Sequence, residues 1–278
     1  MAVIPKKTED RFLKSIGKFQ NILKTAKDRD VNEADTVAII GDILSEVFGY
    51  DKYLEVTSEL CIHGTYCDLA IKIDSKIQFL IEAKAIGLEL KDNHLRQAVD
   101  YGSKQGIQWV VLTNGILWQI YKIRFEQPIS YDLVCFFNFF ELNTRKTEDK
   151  DKLFIMCKEG LEKNARDEFH EKVQSINRFM IGALLLTDEM TNIIKRELKK
   201  ISPNIKVNVD EVKILLENEV MKRDVLEGDG AIKAKNRIKR FYGRAVKKVK
   251  TASDTANIEE SVLSESEKVE GENKGLAC

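Results

Sequence analysis

The feature that most constrains this chain is a change in the period of its apolar residues, from near 3.6 to two and back again. Over residues 8–29, Phe12, Leu13, Ile16, Phe19, Ile22 and Leu23 recur at helical steps. A second stripe (Val37, Ile39, Ile40, Ile43, Leu44, Val47, Phe48) follows Asn32, whose short amide suits an N-cap, and Gly49 closes it. From about residue 53 alternation takes over. Leu54, Val56, Cys61 and Ile62 fall in one strand-like segment. Between Cys67 and Ile73, Leu69, Ile71 and Ile73 share one face while Asp68, Ala70 and Lys72 share the other. Asp74-Ser75-Lys76 is a polar turn. Residues 77–83 are so apolar (Phe79, Leu80, Ile81) that the strand is expected at the centre of a sheet.

Residues 88–101 are expected to be helical. Residues 108–112 and 116–123 are expected as strands joined by Thr113-Asn114-Gly115, since Asn-Gly between apolar runs signals a hairpin. Trp109 and Trp118 belong in the core, and residues 129–142 begin as a strand. Beyond 150 the alternation stops, and helices run to 226 with a break at Ser202-Pro203-Asn204 and Asp210 as the next N-cap. The pattern predicts an α/β chain, a mixed sheet flanked by helices, with four parts. These are an N-terminal helix (1–30), a sheet domain (31–148), a helical region with a basic segment (149–250) and an acidic tail (251–278) whose composition favours disorder.

Charge is uneven although the formal net is zero. Residues 251–278 hold seven acids against Lys268 and Lys274, a net of −5, so residues 1–250 carry +5. Lys233, Lys235, Arg237, Lys239, Arg240, Arg244, Lys247, Lys248 and Lys250 form a run without an acid. It either tracks phosphates, with Phe241 and Tyr242 as stacking platforms, or is a solvated helix face offset by the tail. Five scattered cysteines, an odd number, and the lack of a signal peptide favour a reduced, cytoplasmic setting. No apolar run nears the roughly 18–20 residues of a membrane span. Cys61, His63 and Cys67 have no fourth ligand at zinc spacing. A stripe of Leu161, Val173, Ile176, Phe179 and Ile181 within 150–250 offers a surface for another protein or a homodimer.

The residues that carry chemistry are Asp68, Glu82 and Lys84. Glu82 and Lys84 are two apart at the end of an apolar strand, so both point to one side. Pairing with the Asp68 strand would bring three charged groups together. Ionised groups there are costly unless paired or bound to metal. Two carboxylates are hard donors suited to Mg²⁺, with Mn²⁺ a substitute. A Lys beside two acids stays protonated, which fits stabilising phosphorane charge better than acting as a base. The same triplet also arises on a solvated strand face carrying Glu and Lys.

The order Asp68, Ile81-Glu82-Ala83-Lys84, Gln97-Ala98-Val99-Asp100-Tyr101, Leu112-Thr113-Asn114-Gly115 and Trp118-Gln119-Ile120-Tyr121 resembles the N-terminal nuclease domain of type I restriction enzyme R subunits, of the PD-(D/E)xK superfamily, over roughly 30–125. The resemblance implies a restriction-endonuclease-like sheet and metal-dependent DNA cleavage of restriction or defence type. Asp68, Glu82 and the Ala83 carbonyl would be metal ligands, Lys84 catalytic, and Glu33 a helix carboxylate added to the site. Asp35, about 200° round the same helix, would point elsewhere. Gln97 and Tyr101, four apart on one helix face, would touch DNA or support the site. Lys239, Arg240 and Arg244 are further candidates for DNA contact. Cys67 stands where the superfamily name has Pro. No Walker A motif is present, so ATP-driven translocation is not expected. The alternative is a catalytically weak nucleic-acid-binding or protein-interaction module that keeps the fold.

Overall fold

The computed structural model describes residues 2–62 and 65–243, with the side chains of 59–66 left aside. His63, Arg244 and the acidic tail lie outside these described residues, as does the side chain of Cys61. The chain divides into two compact units, one ending at Val173 and one beginning at Gln174.

The first unit is built on one six-stranded sheet: β1 (Val56–Ile62), β2 (Thr65–Ile73), β3 (Lys76–Ala83), β4 (Trp109–Thr113), β5 (Leu117–Arg124) and β6 (Ser130–Asn138), side by side in chain order. All neighbours are antiparallel except β3 and β4, which are parallel. A parallel pair needs a crossover, and α3 (Asp92–Gln105) supplies it. The β2–β3 hairpin turns at Asp74 and Ser75, both at positive φ, the requirement of the two-residue turn that matches strand twist.

Each face of the sheet has its own core. α1 (Lys6–Asp28) and α2 (Glu33–Glu46) pack with Phe79, Ile81, Trp118 and Phe137, whereas α3 packs Leu95, Ala98 and Tyr101 with Leu80, Val110 and Leu112. β3 therefore feeds both cores, as its apolar density predicts. Trp118 is fully buried, edge-on to Phe48 and stacked on Phe137 with centroids 5.9 Å apart. Cys67, Cys135 and Cys157 are free and buried.

Several expectations need adjustment. The N-terminal helix is not a separate part: Phe12, Phe19 and Leu23 lie in the same core as the sheet. Arg11 grips Glu159 with both terminal nitrogens at 2.7 Å, and Gln20 donates to the carbonyls of Phe139 and Leu142. Leu13, in contrast, is exposed, as is Leu54, which precedes β1. α2 ends before Gly49. α3 begins at Asp92 rather than 88, because backbone groups just before it are committed elsewhere. Ile86 N–H donates to Thr36 Oγ1, and Asn114 Nδ2 donates to the carbonyls of Ile86 and Leu88.

After β6, a 3₁₀ turn (Phe139–Glu141), α4 (Thr147–Phe154), α5 (Lys158–Glu162) and α6 (Ala165–Ser175) lead out of the sheet, α6 running just past the division between the units. Arg166 of α6 is buried with its guanidinium 4.0 Å from the centroid of Phe79, and burial lowers its pKa to about 10.

The second unit contains α7 (Arg178–Leu185), α8 (Asp188–Ile201), α9 (Val209–Leu215), a π turn (Leu216–Val220) and α10 (Arg223–Leu226), and residues 228–243 are helical. Asn208, not Asp210, caps α9, its side chain accepting from Asp210 N–H. The proposed apolar stripe is not continuous. Leu161 packs on the first unit's core, while Ile176 and Ile181 are exposed. Among the described residues, no helix is long and apolar enough to cross a membrane.

If α1 is part of the core, Phe19→Ala should lower stability by about 3–5 kcal/mol in urea unfolding followed by fluorescence. A loss under about 1 kcal/mol would make α1 an appendage.

Candidate active site

The parallel strands β3 and β4 end together, with Glu82 opposite Leu112 and Ala83 opposite Thr113. Carboxyl ends of parallel strands are where open sheets place ligands, since the chain leaves the sheet there and the two helical layers part. The β2–β3 register runs from Ile73 opposite Lys76 to Leu69 opposite Ile81. One residue further along β2, the Asp68 carboxylate takes up the ladder itself: Oδ2 accepts from Ala83 N–H at 2.7 Å. On the other side, Lys84 N–H donates to Thr113 O at 2.9 Å. The turn from strand into loop is thus pinned by a side chain and a main-chain bond.

The Lys84 ammonium stands at the centre of three carboxylates. Its Nζ is 2.8 Å from Glu82 Oε1, 3.6 Å from Glu33 Oε2 and 3.9 Å from Asp68 Oδ2. Glu82 shares its strand face with Leu80, which explains why its side chain is only 3% exposed. Glu33 arrives from the first turn of α2, which Asn32 caps by accepting from Asp35 N–H. That carboxylate is 48% exposed and lies on the solvent side of the cluster. Asp35, two residues on, is exposed and lines a different hollow with Arg29 and Ile39.

Electrostatics follow from these positions. Burial pushes the Glu82 carboxyl above the usual carboxylate range. The hydrogen bond from Lys84 opposes this, and the charges of Asp68 and Glu33 reinforce it. For Lys84, burial works against the charge, but its bond to Glu82 and the three surrounding carboxylates outweigh it, so the ammonium is held above its ordinary value. Cys67, next to Asp68 on β2, is buried among the same groups. Its thiol lies 3.3 Å from the carbonyls of Leu69 and Ile81 and is pushed up to about 12, chiefly by burial. A thiol so placed packs and does not react.

Not every candidate joins the cluster. Gln97 is exposed on α3, while Tyr101, four residues later, is 2% exposed within the second core, so the pair does not present one common surface. Lys239 and Arg240 are exposed in the helical 228–243 segment of the second unit. His94 serves the start of α3, its Nδ1 accepting from Lys91 N–H. Asn114 behaves first as the turn residue its type suggests, Oδ1 accepting from the N–H groups of Ile116 and Leu117. Its second task, holding the loop after Lys84, involves partners 26 and 28 residues away and has no local signature.

Asp68, Glu82 and Glu33 are hard oxygen donors, the chemistry that suits a small divalent cation. Among the described residues, no group of three His, Cys, Asp or Glu side chains stands close enough to hold a metal ion. The three carboxylates are instead gathered around the ammonium. Residues 40–133 match the family described as Type I restriction enzyme R protein N terminus, a stretch that includes Asp68, Glu82 and Lys84 but begins after Glu33. No curated protein and no solved structure matches the chain.

Removing Lys84 would leave the buried Glu82 carboxylate without its nearest counter-charge. Lys84→Met should therefore lose about 2–3 kcal/mol of stability at pH 7, below the full range for a buried pair because the ammonium is partly exposed. The Glu82 pKa is raised in the folded state, so acidification returns its proton there first. The deficit should shrink between pH 7 and pH 4 in parallel urea titrations. A deficit that stays the same from pH 7 to pH 4 would mean that Lys84 has no ionised partner.

Proposed function

We propose that the chain is a metal-dependent endonuclease hydrolysing DNA phosphodiester bonds in a restriction or defence setting, without an ATP-driven motor of its own. One observation carries the reading: a protonated Lys within 2.8–3.9 Å of three carboxylates at the carboxyl ends of two parallel strands. The restriction-enzyme family match over 40–133 supports the same class of substrate.

Charge explains why a cation is needed. Three carboxylates against one ammonium leave a surplus of negative charge, and a phosphodiester is itself an anion. Asp68 and Glu82, with the Ala83 carbonyl, would hold Mg²⁺ or Mn²⁺, which supplies Lewis-acid neutralisation of the phosphate. The remaining work falls to the chain. Lys84, kept protonated, donates to the phosphoryl oxygens as negative charge builds on phosphorus during in-line attack by water. Holding the ammonium among fixed carboxylates means that it need not reorganise when that charge appears. Glu33, on the solvent side, accepts a hydrogen bond from the incoming water and orients it. In this reading the exposed Lys239 and Arg240 contribute non-specific phosphate contacts.

Supercoiled plasmid incubated with Mg²⁺ or Mn²⁺ tests the proposal. Wild type should nick or linearise it, and a chelator should abolish the reaction. Asp68→Ala and Lys84→Ala should each lower the rate by roughly 10²–10³-fold, the scale of losing one charge-stabilising group. Equal product from all three proteins, or cleavage that survives chelation, would overturn the metal-dependent reading, and no product from the wild type would leave a module that binds nucleic acid without cutting it.

A further inference from the structure

The loop that follows Lys84 is held by two buried side chains from elsewhere in the chain. Thr36, on α2, is fully buried. Its hydroxyl donates to Asn32 O at 2.8 Å and accepts from Ile86 N–H at 3.1 Å, so both of its hydrogen-bonding roles are used. The other side of the same residue is held by Asn114, 5% exposed, whose Nδ2 donates to Ile86 O at 3.3 Å and to Leu88 O at 3.0 Å. Neither contact is needed to build the sheet, because Ile86 lies beyond the end of β3.

Ile86 is only two residues past Lys84, about 7 Å of extended chain. Upstream, Lys84 is fixed by its own N–H on Thr113 O and by Ala83 N–H on Asp68. Downstream, Thr36 and Asn114 fix it. Thr36 also stands one helical turn from Glu33 and bonds to the carbonyl of the residue capping that turn. The hydroxyl therefore ties the segment that carries the ammonium to the helix end that carries the outermost carboxylate. The Cβ that Gly115 lacks would lie 3.6 Å from the Thr36 methyl, so the hairpin turn closes over the same point.

We propose that Thr36, with Asn114 as the opposing arm, is a positioning residue that sets Lys84 against Glu82 and Glu33 for phosphodiester cleavage. This rests on the nuclease reading above. Thr36 touches neither substrate nor cation and acts only through the Ile86 peptide. Thr36→Val keeps the shape but removes the hydroxyl, leaving the Ile86 N–H buried and unpaired, and the loop is then free to shift. A displacement near 1 Å at a catalytic group lowers turnover by up to about a hundredfold.

The test measures steady-state plasmid cleavage and, separately, the ¹³Cε resonance of Lys84 in protein without metal. Thr36→Val should lower kcat by about ten- to a hundredfold with KM within twofold, and should move the Lys84 resonance. Thr36→Ser, which keeps the hydroxyl, should restore both. Phe12→Leu, a core change in α1 away from the site, should lower thermal stability yet keep wild-type kcat, separating positioning from general loss of stability. Wild-type kcat and an unmoved resonance in Thr36→Val would overturn the assignment while leaving the nuclease reading intact. If wild-type protein proves inert on DNA, that reading falls on its own. The Lys84 resonance then decides whether Thr36 positions the ammonium: movement in Thr36→Val and recovery in Thr36→Ser support it, and no movement overturns it.

Discussion

The ammonium of Lys84 among Glu82, Glu33 and Asp68 is the constraint around which the first unit is arranged. A carboxylate as buried as Glu82 is unfavourable unless a counter-charge is at hand. The counter-charge here comes from two residues further along the chain, just past the end of β3. That spacing fixes where β3 must stop, since Lys84 has to leave the sheet to keep contact with both Glu82 and the exposed Glu33. The stop is enforced by bonds that do not belong to the regular ladder: Asp68 to Ala83, Thr113 to Lys84, and the pair of side chains on Ile86.

Much of this was legible in the sequence. The run Phe79-Leu80-Ile81 marked a strand with apolar neighbours on both faces, and β3 is such a strand, feeding both cores. Asn114-Gly115 marked a hairpin, and Asp74-Ser75 a tight turn, because both depend on short-range backbone preferences. Asp68, Glu82 and Lys84, singled out by residue type and spacing, and Glu33, to which the family resemblance pointed, stand together in space. Periodicity works here because burial on a strand or a helix is a local property repeated along the chain.

What could not be read is long-range. Nothing in residues 86–91 announces that backbone groups of Ile86 and Leu88 are taken by Thr36 and Asn114, so the pattern alone reads as helical from 88. Gln97 and Tyr101 sit four apart, which places them on neighbouring parts of a helix surface. It does not decide whether that surface faces solvent or the sheet, and here the boundary runs between them. Asp210 and Asn208 are both good caps, and only the path of the chain after Pro203 selects the second. The place of α1 in the core was hidden for a related reason. Its stripe was plain, but what covers it, β5 and β6 residues more than 90 positions later, was not.

The closure of the core by α1 has a practical corollary for anyone dissecting this molecule. The stretch that matches the restriction-enzyme family begins at Ile40, in the middle of α2, so a fragment trimmed to that match would lose the whole of α1 and the turn bearing Glu33. It would strip the cover from Phe79, Ile81 and Trp118. Such a piece would present a broad oily plate to water and would tend to clump. The smallest autonomous version of the sheet therefore needs sequence on both sides of the recognisable motif, from the first helix through the Glu159 that Arg11 grips.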